Sequence, residues 1–234
     1  MKVEKLDKKI DIHPTVMHRN YPLKGLENSI LPNKTGFFMY VVGGVGSGKS
    51  TLTLSLLNNE FKQKFNNVYW FSPSAHTMTD LKIKDDHLKN SLSDLPGVVE
   101  SITNQYKEGL NNEKVFSSLI VLDDMIADIK KKDSFMKKLV LNRAHSNISL
   151  IILSQKYKEL PLMYRVNSSH IVLFRTYNAK EIQAFIEETD LFKSKKQFID
   201  AIDYAFNQER GFLYTDLQKR ILYSKFNDKI LETL

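Results

Sequence analysis

The chain has 234 residues, 42% of them hydrophobic and 11% aromatic, enough for one sizeable α/β core and cramped for a second full domain. Cysteine is absent, which excludes a disulfide framework and any thiolate metal site. The formal charge is +7, and an excess of this size favours a polyanionic partner, nucleic acid first among them. The longest apolar runs fall far short of a membrane span, so no membrane partner is expected. Lys2, Glu4, Lys5, Asp7, Lys8 and Lys9 interrupt any secretory leader.

Residues 1–36 read as a polar, irregular lead-in broken by Pro14, Pro22 and Pro32, and residues 37–234 as a single domain. Residues 37–42 are apolar without alternation, as a central parallel strand buried on both faces would be. Glycines follow, then an amphipathic helix over 49–61 with Leu52, Leu56 and Leu57 inward. Residues 67–71 form the next strand, closed by Ser72-Pro73. The stretch 74–96 is polar, rich in lysine and aspartate, and has no assignable element. A helix is expected over 98–110, then a second all-apolar strand at 119–122 ending in Asp123-Asp124. A lysine-rich helix over 131–142 leads to a strand at 148–153, which stops at Ser154-Gln155. Another strand at 171–174 precedes helices at 179–188 and 195–206. Residues 211–214 and 221–226 alternate and suit an antiparallel hairpin. Strands alternating with helices predict an α/β fold with a doubly wound, mainly parallel sheet.

Gly43-Gly44-Val45-Gly46-Ser47-Gly48-Lys49-Ser50 matches G-x-x-x-x-G-K-[ST] in full, between an apolar strand and an amphipathic helix. Glycines let the backbone wrap phosphate, and successive amides with the helix N-terminus form an anion nest. Lys49 is expected to reach the β- and γ-phosphates of ATP and Ser50 to ligate Mg²⁺, with Thr51 completing the binding segment. Asp123 and Asp124 fall at a strand's carboxyl end, where open α/β sheets bind ligands. Asp123 suits the metal, and Asp124 suits deprotonation of a water beside the γ-phosphate. Gln155 would lie near Asp124 if its strand neighbours the P-loop strand. Arg143 and Arg165 are candidates for insertion into a neighbouring subunit's site, Arg143 the preferred one. The clusters Lys130-Lys131-Lys132 with Lys137-Lys138, and Lys193 with Lys195-Lys196, suit phosphate contacts or a merely solvated face.

The order GGVGSGKS, YWFSP, LIVLDD, NRAH, IILSQ and LPLMYRVNSSHIVLF resembles the viral genome-packaging ATPases of the FtsK–HerA superfamily, over residues 31–175. The resemblance implies a RecA-like P-loop NTPase core and a homo-oligomeric ring that moves double-stranded DNA into a capsid. It implies the host cytoplasm (a viral factory) or the virion as location, and a capsid or portal protein as partner. It assigns Lys49 and Ser50 to the P-loop, Asp123 to magnesium, Asp124 to water activation, Gln155 to the sensor position and Arg143 to the finger. Relatives outside viruses mostly carry Asp-Glu where this chain has Asp-Asp. A nucleoside or nucleotide kinase and a nucleotide-switched, non-catalytic DNA-binding protein remain as alternatives.

Overall fold

The computed structural model describes residues 20–75 and 82–232, so the expected leader interruptions, Pro14 and residues 76–81 of the unassigned 74–96 stretch lie outside the described residues. In chain order the elements are β1 (Phe38–Val42), α1 (Lys49–Asn58), β2 (Asn67–Phe71), β3 (Leu88–Lys89), α2 (Leu95–Asn111), β4 (Ser118–Asp123), α3 (Ile126–Lys131), α4 (Asp133–Asn142), β5 (Ile148–Ser154), α5 (Leu162–Arg165), β6 (His170–Phe174), α6 (Ala179–Thr189), α7 (Lys195–Asn207), β7 (Phe212–Asp216), β8 (Ile221–Ser224) and β9 (Asp228–Ile230). The strands form one sheet in the order β3-β2-β4-β5-β1-β6-β7-β8-β9. Strands β1 to β6 run parallel. From β7 onward the pairing is antiparallel, so the expected hairpin extends the sheet instead of standing apart.

Burial along β1 is complete, and its side chains enter two different cores. Phe38, Tyr40 and Val42 pack with residues of α2, α3, α4, α6 and α7. Phe37, Met39 and Val41 pack on the other face with Leu56, Leu57 and Phe61. Apolar demand from both faces is why the strand shows no alternation. The chain leaves β1 to build β2, β4 and β5 on one flank, then places β6 on the other. Such a reversal opens a crevice at the strands' carboxyl ends.

Several expected boundaries move. Residues 20–36 are no loose lead-in: Leu23, Leu26 and Leu31 are buried against the α1 face, and Pro22 bridges Lys34. The Tyr214 hydroxyl also donates to the Ile30 carbonyl at 2.8 Å, tying this segment to β7. The helix expected over 131–142 begins earlier and divides at Lys132 into α3 and α4. Ile126 and Ile129 must meet the core directly after the acid pair, while Met136, Leu139 and Val140 must meet it on the way back to β5. Helix α2 starts before Val98, with Pro96 in its first turn, where a missing N–H costs nothing. Helix α1 ends at Asn58, yet Phe61 is still buried in the core beside Phe37.

Candidate nucleotide-binding and hydrolytic site

The P-loop leaves the carboxyl end of β1 and enters α1. Gly46 and Gly48 have φ of +73° and +98°, a region in which a side chain is strained. A Cβ on Gly43 would meet Ser47 Oγ at 2.4 Å and Phe174 Cβ at 2.7 Å, so this glycine is required by close packing. A Cβ on Gly44 or Gly46 would meet nothing within 4 Å, which leaves the concave side of the loop open. Val45 at its tip is 86% exposed. Lys49 Nζ donates to the Gly43 carbonyl at 2.6 Å and to that of Gly44 at 3.0 Å, spanning the cradle. Ser47 Oγ is buried in the loop with no hydrogen-bond partner among the described residues. An orphaned hydroxyl in a glycine-rich loop spanned by an ammonium fits a phosphate ligand that completes the bonding.

Strand β4 lies two positions from β1, with β5 between them. Ser50 Oγ donates to Asp123 Oδ2 at 2.8 Å across this gap. Burial pushes the Asp123 carboxyl above its usual range, while the Ser50 hydroxyl and Lys49 pull it down. Burial lowers Lys49, against the raising influence of Asp123, Asp124 and Glu159. In each case burial outweighs the neighbouring groups. The two oxygens are hard donors of the type Mg²⁺ accepts, and Mg²⁺ commonly needs only one or two protein ligands besides water and phosphate. Ser50 and Asp123 could hold it there, where it would offset phosphate charge.

Asp124 turns out of β4 with φ of +58°, a conformation aspartate tolerates at modest cost. The turn leaves its side chain exposed, and Gln155 Nε2 donates to Asp124 Oδ1 at 3.1 Å. The condition set on Gln155 is met because β5 pairs with both β4 and β1. Sequence reasoning missed the residues that seat this amide. Ser154 Oγ donates to Glu159 Oε2 at 3.0 Å. The Tyr40 hydroxyl lies 3.0 Å from the Lys156 carbonyl and 2.9 Å from that of Tyr157. A tyrosine inside an otherwise aliphatic and phenylalanine strand was the available signal. Thr51 lies exposed in the first turn of α1, next to Ser50.

Arg143 is elsewhere. It begins the turn between α4 and β5, at the amino ends of the strands, opposite the P-loop. Its Nε donates to the Gly36 carbonyl at 3.0 Å, Nη2 to that of Asn167 at 3.3 Å, and Nη1 to Val140. Burial lowers its pKa to about 10. A guanidinium committed to three carbonyls of its own chain, and stacked 5.8 Å from the Phe38 ring centroid, is a structural tie. Within this chain the guanidinium stands apart from the P-loop, at the other end of the strands. Arg165 is similarly engaged, with Nε and Nη2 on the two Glu188 oxygens at 2.8 and 2.6 Å. An exposed arginine, Arg175, stands instead at the carboxyl end of β6. In the lysine clusters, Lys131 pairs with Asp128 and Lys137 with Asp133, whereas Lys130 on α3 and Lys138 on α4 are exposed.

Fold and site together define a P-loop NTPase: a parallel sheet with the phosphate loop after one strand and an acid pair two strands away. The chain belongs to the family described as poxvirus A32 protein, which its residues 27–217 match. It is 29% identical over 147 residues to the DNA packaging protein OPG160 of Variola virus, covering 60% of this chain and 54% of that one. The chain thus spans about half the length of the curated relatives it matches. Among solved structures it resembles the genome packaging NTPase B204 of Sulfolobus turreted icosahedral virus 2 in complex with ATP-gammaS, at 14% identity. The TM-score is 0.55, over 80% of this chain and 95% of that one. The pCW3 conjugation coupling protein TcpA gives 0.54 at 12% identity, over 77% of this chain and 57% of that one. These likenesses establish the fold, a mixed α/β P-loop sheet flanked by helices. Among the described residues no helix is long and apolar enough to cross a membrane.

Proposed function

We infer that this protein is a magnesium-dependent ATPase that moves double-stranded DNA into a viral capsid. The observation that carries the reading is the pairing of Ser50 with Asp123 at 2.8 Å, beside an Asp124 that Gln155 orients at 3.1 Å. On this reading one carboxylate serves the metal and the next the water. Lys49 holds the β- and γ-phosphates, Ser50 and Asp123 hold Mg²⁺, and Asp124 accepts the proton of the attacking water. Gln155 keeps Asp124 aimed and responds to the γ-phosphate. Membership of the A32 family and the packaging relatives supply the cargo and the destination. The working unit is a ring of identical subunits docked on a capsid or portal protein, in the viral factory or the virion. The positive charge of +7 serves the duplex.

Purified protein tests this directly. Phosphate release from ATP should require Mg²⁺, rise on adding double-stranded DNA, and rise per subunit with protein concentration as rings assemble. Phosphate transfer to an added nucleoside or nucleotide, with DNA having no effect, would replace the motor by a kinase.

A further inference from the structure

The strand on the other flank of the P-loop carries an unexplained aromatic. Strand β6 pairs with β1 so that Leu173 is level with Val42. Phe174 then packs against the P-loop itself, its Cβ 2.7 Å from where a Cβ on Gly43 would stand and its ring 3.8 Å from one on Gly48. Three residues on, Tyr177 is 89% exposed. Tyr177 follows the carboxyl end of β6, the end of the sheet from which the P-loop also leaves β1, and an exposed aromatic face there can stack on a base.

The loop that presents it is braced. Arg175 Nη2 donates to Asn207 Oδ1 at 3.1 Å, at the end of α7, and its guanidinium carbon lies 6.0 Å from the Tyr177 ring centroid. The Asn178 amide donates to Thr176 Oγ1 at 3.2 Å, and Asn178 Oδ1 accepts from the Lys180 amide at 3.0 Å, capping α6. The polar side chains on either side of Tyr177 are thus engaged in the turn. What the loop offers to a ligand is the face of one ring with a cation beside it.

Direction decides which ligand. Asp123, Asp124 and Gln155 sit on β4 and β5, so the γ-phosphate end of a bound triphosphate lies on that flank. The nucleoside end then extends past the P-loop toward β6. From β4 to β6 is three strand spacings, about 14 Å, the scale of an extended nucleoside triphosphate.

We propose that Tyr177, braced by Arg175, is the platform on which the base of the bound nucleotide stacks. This rests on the reading of the P-loop as a triphosphate site. Recognition is by the face of the base and not by its edge, so purine identity matters little and ATP and GTP bind alike. A motor fed from the most abundant triphosphate does not need edge readout.

The test is calorimetric titration of the full chain with Mg-ATP, Mg-GTP and Mg-tripolyphosphate, which has the phosphates and no base. Tyr177→Ala should weaken ATP about ten- to a hundredfold, the usual range for one lost base stack, and leave tripolyphosphate unchanged. Tyr177→Phe, which keeps the ring, should bind ATP within about threefold of the native protein. Native-like ATP affinity in Tyr177→Ala overturns the platform, and so does an equal loss for tripolyphosphate, which would mean a disturbed P-loop. A native protein that discriminates strongly between ATP and GTP overturns recognition by face. Failure of the native protein to bind any of the three removes the triphosphate reading itself, an outcome distinct from all of these.

Discussion

Gln155 Nε2 donates to Asp124 Oδ1 at 3.1 Å between the carboxyl ends of two adjacent parallel strands, β5 and β4. The two residues are 31 positions apart, and only the pairing of their strands brings an amide from one to the carboxylate of the other. Asp124 is thereby aimed, and a group aimed in this way makes separable demands on binding and on turnover.

Asp124→Asn should retain Mg-ATP binding and lose turnover by about a hundredfold or more, the usual contribution of a general base. Lys49→Ala should weaken nucleotide binding itself. Binding by calorimetry and phosphate release at saturating ATP separate the two. Near-native turnover in Asp124→Asn would remove the base.

Gln155→Ala should lower turnover less than Asp124→Asn does, because the acid remains and only its orientation is lost. The pair should be non-additive. In the Asp124→Asn background, Gln155→Ala should cost little more if both act on the same proton transfer, as proposed. Fully multiplicative losses in the double variant would separate the two roles.

Arg143→Ala should act on stability, not on assembly-dependent catalysis. Loss of the ties to Gly36, Val140 and Asn167 leaves carbonyls unpaired in a partly buried site, at a cost of about 2–4 kcal/mol. Denaturant unfolding should show this, while turnover per folded subunit stays near native. Restoration of turnover by mixing Arg143→Ala with Asp124→Asn subunits would instead return the finger role to Arg143.

His170 gives stability a pH dependence of known sign. It lies buried between Phe37 and Tyr214 with Asp216 3.9 Å away, and burial lowers its pKa to about 4, against the raising influence of Asp216. Its folded pKa is below the unfolded value, so its contribution is intact above about pH 6.5 and is lost as pH falls toward 4, where the unfolded chain takes up the proton first. The full effect approaches roughly 3 kcal/mol. Unfolding free energies measured from pH 7 to 4 should fall more steeply for the native protein than for His170→Phe. Parallel slopes would clear His170 of the effect.

Duplex DNA affinity should drop steeply between low and moderate salt and hardly vary with sequence. Lys130→Ala with Lys138→Ala should reduce the slope of log affinity against log salt by about two if these lysines touch phosphates. An unchanged slope would move the contact to the cluster around Lys193.

The sequence alone determined what is local. A complete G-x-x-x-x-G-K-[ST] motif between an apolar strand and a helix implies a phosphate cradle, because dihedrals, open amides and the lysine all lie within eight residues. Lack of alternation in residues 37–42 and 119–122 likewise implied strands covered on both faces. Strand order was not legible, since burial makes every central strand look alike, and with it went everything that depends on neighbours across the sheet. The tertiary structure decided that β5 lies between β4 and β1, which joins Gln155 to Asp124. It also placed Arg143 at the opposite end of the sheet, where its charge is occupied by Gly36 and Asn167, residues far from it in the chain. Leu23, Leu26 and Leu31 were hidden for the same reason: three leucines among prolines and lysines show no period, and only the face they cover reveals them as core.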